Sequence, residues 1–404
     1  MMTKGFKGSL LSVILLCSFL ALATQAFSVG LAEAMVTRDP ILIDGNASFT
    51  PANGVTSGSG TENNPYIIEG WDINASSANG IEIRNTTAYF VIRNCYVHNV
   101  GYYGIWFFNV TNGKIDNNLV ENNSTGIYLV GSNNNFISNN IVGNSEYGIW
   151  IYRSDNNIIS NNVAENNNYG ILLYSNSNYD LVSNNTVENN VHGINLSESD
   201  NNLISNNALE NNEVSILIHS SGNNFVSKNM MMNNGSGIYL NSSDNNLISN
   251  NTVENSHQGA VYSIAVPPAG SGIYIYRSDN NLIFRNNFVN NINQAHDNEV
   301  NLWDNGYPSG GNYWSNYSGT DNYRGENQNI PGSDNIGDTP YSVPGGTNGD
   351  RYPLMSPTAK VPPGPSPEVP HERPWGLIIG IIILATMIIC VVVWYLLNLK
   401  KKGL

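Results

Sequence analysis

The chain has 404 residues, of which only 12% are charged, while hydrophobic residues stop at 41%. With 17 Lys+Arg against 31 Asp+Glu the formal charge is −14, so no basic face exists to neutralise phosphates and nucleic-acid binding is not expected. About 70 Asn replace the missing charge; they sit among regularly placed Ile, Val, Leu and aromatics, which argues against disorder in the middle of the chain.

Residues 1–28 carry Lys4 and Lys7, an apolar run from Leu10 to Ala23 and candidate cleavage points near Ala23, Ala26 or Ala34. This pattern predicts a secretory signal peptide. No small residue precedes Cys17, which tells against a lipoprotein anchor. Cys17 and Cys390 lie in terminal apolar runs, so Cys95 is alone in the body and is expected to be a small buried hydrophobe.

Residues 37–65 are expected to cap a repeat array that fills 66–300. Gly-Ile pairs recur at Gly80, Gly104, Gly126, Gly148, Gly170 and Gly193, with Ser215 in the next slot, then Gly237 and Gly272. The period is about 22 residues, with one insertion before Gly272. In the unit 148–169, Ile149 and Ile151 alternate as a short strand, and Asn157, Asn162 and Asn167 fall between later apolar slots. Three short strands per unit, joined by tight turns, predict a parallel β-helix of about ten coils. Leucine is too sparse at fixed slots for a leucine-rich repeat. Asparagine suits such turns because it tolerates left-handed backbone and because its amide can hydrogen-bond from coil to coil. Two columns, Asn135–Asn157–Asn202–Asn224–Asn246–Asn281 and Asn140–Asn162–Asn185–Asn207–Asn229–Asn251, read as such ladders.

If Ile points inward, the second and fourth residues after each Gly point outward. They include Trp106, Phe108, Tyr128, Trp150, Tyr152 and Tyr174, with Arg153 adjacent. Aromatic rings one coil apart suit contact with a glycan or a protein partner. Cross-strand stacking that only stabilises the sheet is the alternative. Carboxylates for glycan cleavage are absent from this stripe. Two acidic columns stand elsewhere, Asp155–Asp200–Asp244–Asp279 and Glu121–Glu165–Glu188–Glu210–Glu254; neighbours in them could stand near the separation a lyase or hydrolase needs, or be solvated repeat positions.

The five body histidines occupy different slots. In the run Met230-Met231-Met232, Met230 and Met232 share a face; soft thioethers suit copper(I), and core filling is the alternative. Residues 301–356 break the period and read as a C-terminal cap, in which Asp334 and Asp338, either side of Gly337, could hold calcium. Residues 357–374 hold seven prolines, a polyproline-like stalk. Residues 375–399 carry no charge and suffice to span a bilayer as one helix. The tail 400–404, with Lys400, Lys401 and Lys402, is expected in the cytoplasm and the body outside. The fold class is therefore all-β, a parallel β-helix plus one transmembrane helix, in a single-pass cell-membrane protein.

The repeat Gly272-Ile-Tyr-Ile-Tyr-Arg-Ser-Asp-Asn-Asn-Leu-Ile283 is followed by three ordered motifs. These are Gly311-Asn-Tyr-Trp-Ser-Asn-Tyr317, Ile336-Gly-Asp-Thr-Pro-Tyr341 and Asp350-Arg-Tyr-Pro-Leu354. With them, residues 40–356 resemble the NosD family of right-handed β-helix proteins. The resemblance implies an exported, copper-binding protein associated with an ABC transporter that matures the copper centre of nitrous oxide reductase. The stalk and membrane helix depart from a free periplasmic protein and resemble archaeal cell-surface designs.

Overall fold

The structure, a computed structural model, describes residues 35–257 and 268–359. The expected signal peptide, membrane helix, cytoplasmic tail and all but the first residues of the stalk lie outside the described residues. Among the described residues no helix is long and apolar enough to cross a membrane.

Each complete coil contributes one strand to each of three parallel sheets. Sheet I holds the Gly-Ile strands, eleven of them from Ile41–Asp44 to Asn293–Asp297. Sheet II has ten strands, Tyr66–Glu69 to Leu282–Phe284. Sheet III has twelve and ends at Tyr313–Trp314. The coils begin earlier than the repeat pattern indicates: Ile41–Asp44 pairs with Ile81–Thr86, with Ile41 on Ile81 and Ile43 on Ile83. The segment 37–65 thus supplies a sheet I strand before two 3-10 turns, Asn46–Ser48 and Pro51–Asn53. That strand lacks the glycine and asparagine that mark later coils.

The turns explain the asparagine. In the coil from Tyr147, the left-handed positions are Arg153, Asn156, Asn161 and Asn166, with φ of 48°, 59°, 57° and 58°. After three of them come the inward-pointing Asn157, Asn162 and Asn167, all buried. The two roles expected of asparagine are therefore divided between adjacent residues: the first supplies the backbone bend, the second the ladder. Asn140 donates its backbone N–H and Nδ2 to Asn162 Oδ1, both at 3.0 Å. Asn162 repeats the pattern onto Asn185 Oδ1 at 2.9 and 3.1 Å and also donates Nδ2 to the Ile137 carbonyl at 2.9 Å. A third asparagine ladder runs Asn167–Asn190–Asn212–Asn234. A serine ladder closes the fourth corner, as where the Ser199 N–H donates to Ser221 Oγ at 3.0 Å.

Between these polar corners the interior is apolar. Ile105, Ile127, Ile149, Ile171, Ile194 and Ile216 stack in one fully buried column, each worth roughly 1.5–3 kcal/mol of burial. Cys95 is buried, and burial pushes its thiol up to about 12.

Two tryptophans close the C-terminal end of the core. Trp314 stacks on Phe288 at 4.7 Å and lies 5.6 Å from Trp303. Each indole donates to a buried carboxylate, Trp303 to Asp297 at 2.8 Å and Trp314 to Asp350 at 2.9 Å. The three ordered cap motifs meet here: the Gly311 N–H donates to the Tyr352 carbonyl and the Gly337 N–H to the Pro353 carbonyl, both at 2.8 Å.

Candidate functional site

The outward face of sheet I is set by a break in strand alternation at glycine. A Cβ on Gly148 would meet the Gly170 carbonyl oxygen at 2.5 Å, so only glycine fits, and both Gly148 and Ile149 are buried. Tyr147 before the glycine and Trp150 after it therefore both face out. Simple alternation finds Trp106, Phe108, Tyr128, Trp150, Tyr152 and Tyr174, and the structure places all of them on this face with Arg153. It does not find Tyr103, Tyr147, Tyr169 and His192, which form a second column; the recurring Tyr-Gly-Ile triplet is their signal in the sequence.

The two columns interlock. Ring centroids lie 4.9 Å apart for Tyr103–Tyr128, 4.6 Å for Tyr128–Trp150 and 4.6 Å for Tyr147–Trp150. The stack continues through Tyr147–Tyr169 at 5.2 Å, nearly parallel, to Tyr169–His192 at 4.9 Å. Tyr152 and Tyr174 flank it 5.8 Å apart. Arg84 lies over Trp106 at 4.8 Å and Arg153 over Tyr152 at 5.0 Å; its left-handed backbone turns the Arg153 side chain onto the ring. Such contacts are worth about 0.5–1 kcal/mol at exposed sites. Burial, with Tyr103 and Tyr152 adding to it, pushes the Tyr128 phenol up to about 12. Burial also raises Tyr147, so both stay neutral donors.

The aromatic ridge ends at His192, where the column continues as Val214 and Ser236. The loss of ring height opens a recess of about 720 Å³ walled by Tyr169, His192, Asn189, Asn211 and Glu213. Burial lowers the His192 pKa, and its Nδ1 is buried without a partner. Burial raises Glu213.

The candidate metal ligands are differently placed. Met231 is in the core, whereas Met230 and Met232 point out from sheet III, beside Ala208 and Thr252 and beside Glu210 and Glu254. The expectation that these two thioethers share a face holds, with no histidine paired to them on either neighbouring coil. Asp338 accepts the Asn322 and Tyr323 N–H groups, both at 2.9 Å, and the Thr320 hydroxyl at 3.0 Å. Asp334 accepts the Ile336 N–H at 3.1 Å. These carboxylates thus fasten cap loops. Among the described residues no three His, Cys, Asp or Glu side chains are grouped to hold a metal.

Both acidic columns exist. Glu165, Glu188 and Glu210 stack in register on sheet III; burial first, then the two neighbouring carboxylates, raise Glu188. In the other column each aspartate fastens the next coil: Asp155 accepts the Asn178 N–H at 2.8 Å and Asp244 the Asp279 N–H at 2.7 Å.

A solenoid with asparagine ladders inside and an aromatic face outside defines a right-handed parallel β-helix protein, and residues 43–209 match the family model of the right-handed β-helix region. Residues 173–319 match that of the periplasmic copper-binding protein NosD. Over those residues the chain is similar to NosD-type β-helix proteins. No curated protein matches it. Among solved structures it is similar to the mannuronan C-5 epimerase AlgE4 A-module of Azotobacter vinelandii at 12% identity, over 69% of this chain and 84% of that one, with a TM-score of 0.44. The periplasmic alginate epimerase AlgG matches at 17% identity over 65% and 72% of the two chains, with a TM-score of 0.41. The Dettilon tailspike protein matches at 14% identity over 69% and 58%, with a TM-score of 0.46. These likenesses concern the fold alone.

Proposed function

We propose that this protein is a non-catalytic binding protein of the cell surface that holds a glycan against the aromatic face of sheet I. In this reading the body stands outside the cell on its proline stalk and C-terminal membrane helix. The supporting observation is the unbroken run of rings from Tyr103 to His192 ending in an open recess. Rings locked by one another lose little freedom on binding, and their phenol edges, with the Asn189 and Asn211 amides of the recess, offer hydrogen bonds to hydroxyl groups along a chain laid parallel to the coil axis. The test is retention of the full chain on immobilised polysaccharides. Trp106→Ala with Trp150→Ala should abolish retention, and unchanged retention would rule the reading out.

A second reading, copper binding, is favoured by one observation: Met230 and Met232 share the outer face of sheet III within the NosD-matching segment. Equilibrium dialysis should then find copper(I) on the protein, reduced by Met230→Leu with Met232→Leu.

A further inference from the structure

Sheet II carries a surface of another kind. In its three-residue strands the middle residue points inward and the first and third point out. The first positions, Phe136, Ile158, Leu181, Leu203, Phe225 and Leu247, stack in register over six coils. They form an apolar ridge on which Phe136, Leu203 and Phe225 are 48%, 36% and 38% exposed. The third positions are all serine, Ser138, Ser160, Ser183, Ser205, Ser227 and Ser249. The last four are buried beside the ridge, so the column is the floor of a shallow groove.

No charge interrupts these two columns in a chain of net −14. The charges stand at the rims, and the rims differ in sign. The turn entering sheet II carries Asp200, Asp244 and Asp279, and the turn leaving it carries the exposed Lys228 and Arg285. A continuous exposed apolar strip marks a contact surface, and a ladder repeating every 4.7–4.9 Å is matched best by another ladder of the same repeat.

We propose that sheet II is the contact between two copies of this chain, related by a two-fold axis parallel to the coil axis. Rotation about that axis keeps equal coils side by side and reverses the direction across the strands. The apolar ridge of each copy then seats on the serine groove of the other. Arg285 of one copy comes opposite Asp279 of the other, and Lys228 falls between the levels of Asp200 and Asp244. A two-fold axis across the coils would instead press ridge on ridge and aspartate rim on aspartate rim, which like charges oppose. These six coils and the next, in which Leu282 stacks on Leu247, cover with their flanking turns roughly 700 Å² per copy, close to the ~800 Å² a standard interface buries on each side.

The test is disulfide trapping in the full chain with Cys17 and Cys390 replaced by serine and Cys95 left in the core. Asp279→Cys with Arg285→Cys should give a covalent dimer on mild oxidation. With the whole strand Leu282–Phe284 between them, the two cysteines lie more than roughly 10 Å apart within one copy, too far to pair there. Either cysteine alone should stay monomeric. Leu203→Asp with Phe225→Asp should abolish trapping while circular dichroism and thermal unfolding remain those of the parent. No dimer from the double-cysteine chain overturns the proposal, as does a dimer that survives the two aspartates; trapping by Asp279→Cys alone overturns the arrangement in favour of the opposite two-fold.

Discussion

Asp180 occupies an asparagine rung beneath Asn157. Its Oδ1 accepts the Asn157 N–H at 2.6 Å and Asn157 Nδ2 at 3.2 Å, while its Oδ2 is buried with no partner. An asparagine there would present Nδ2 as a donor to the next rung. Burial, the largest cause, holds the Asp180 carboxyl well above the usual carboxylate range.

The sign of the pH dependence follows. A raised folded pKa means that the contribution of Asp180 is fully present below the unfolded pKa near 4 and is lost as pH rises towards the folded value. Asp180→Asn should therefore stabilise the protein at pH 7 by about 1–3 kcal/mol, the cost of one unsatisfied buried polar group. The gain should shrink towards pH 4. Denaturant unfolding at the two pH values checks this, and an equal gain at both would refute it.

Adjacent asparagines should respond differently to truncation. Asn162→Ala removes the acceptor of two Asn140 donors and the donor to the Ile137 carbonyl, at a cost of about 2–4 kcal/mol. Asn161→Ala, at φ 57°, should cost about 1 kcal/mol, and Asn161→Gly less. Urea midpoints of the three variants give the order.

The cap should fail at Gly311. A Cβ there would lie 1.7 Å from Asp350 Oδ1, so Gly311→Ala must displace the carboxylate that accepts the Asn312 N–H at 2.6 Å and the Trp314 indole at 2.9 Å. Trp314 fluorescence should shift to the red and protease cleavage within 301–356 should rise, with the coils intact by circular dichroism.

Burial pushes Asp350 up to about 7. Its stabilising contribution to the cap is present below about pH 4 and declines until the pH passes about 7. Trp314 emission during thermal melting should report a cap that opens at lower temperature at pH 8 than at pH 5.

On the aromatic face, Tyr169→Ala should weaken glycan retention as much as Trp150→Ala, because Tyr169 joins the ridge to the recess. Tyr276→Ala, at the far end beneath Arg277, should leave retention unchanged. Retention assays on the three variants separate a local site from a general loss of surface aromatics.

The period, the inward isoleucines and both asparagine columns are legible in the sequence because each repeats at a fixed offset from the Gly-Ile pair. Tyr147 is not, because Gly148 and Ile149 both turn inward and shift the alternation by one residue. Nor is the sheet II ridge. In pairs such as Leu203-Ile204 two apolar residues stand side by side, and only the turn geometry decides which one is buried. The cap motifs are visible as words, but the meeting of Trp314 with Asp350 spans 36 residues of irregular chain.

The asparagine ladders have a direction. In the amide-to-amide bonds from Asn118 through Asn140, Asn162, Asn185, Asn207, Asn229, Asn251 and Asn286 to Asn312, each Nδ2 donates to the Oδ1 of the next coil towards the C-terminal end. The two ends of the stack therefore end differently: Asn118 Oδ1 accepts the Cys95 N–H at 3.0 Å, and Asn312 Nδ2 donates to the Trp303 carbonyl at 2.8 Å. Whole coils can be added or removed only with the rungs in the same sense. A stack joined head to head would bring like groups together, so this architecture lengthens head to tail, as a polar filament does.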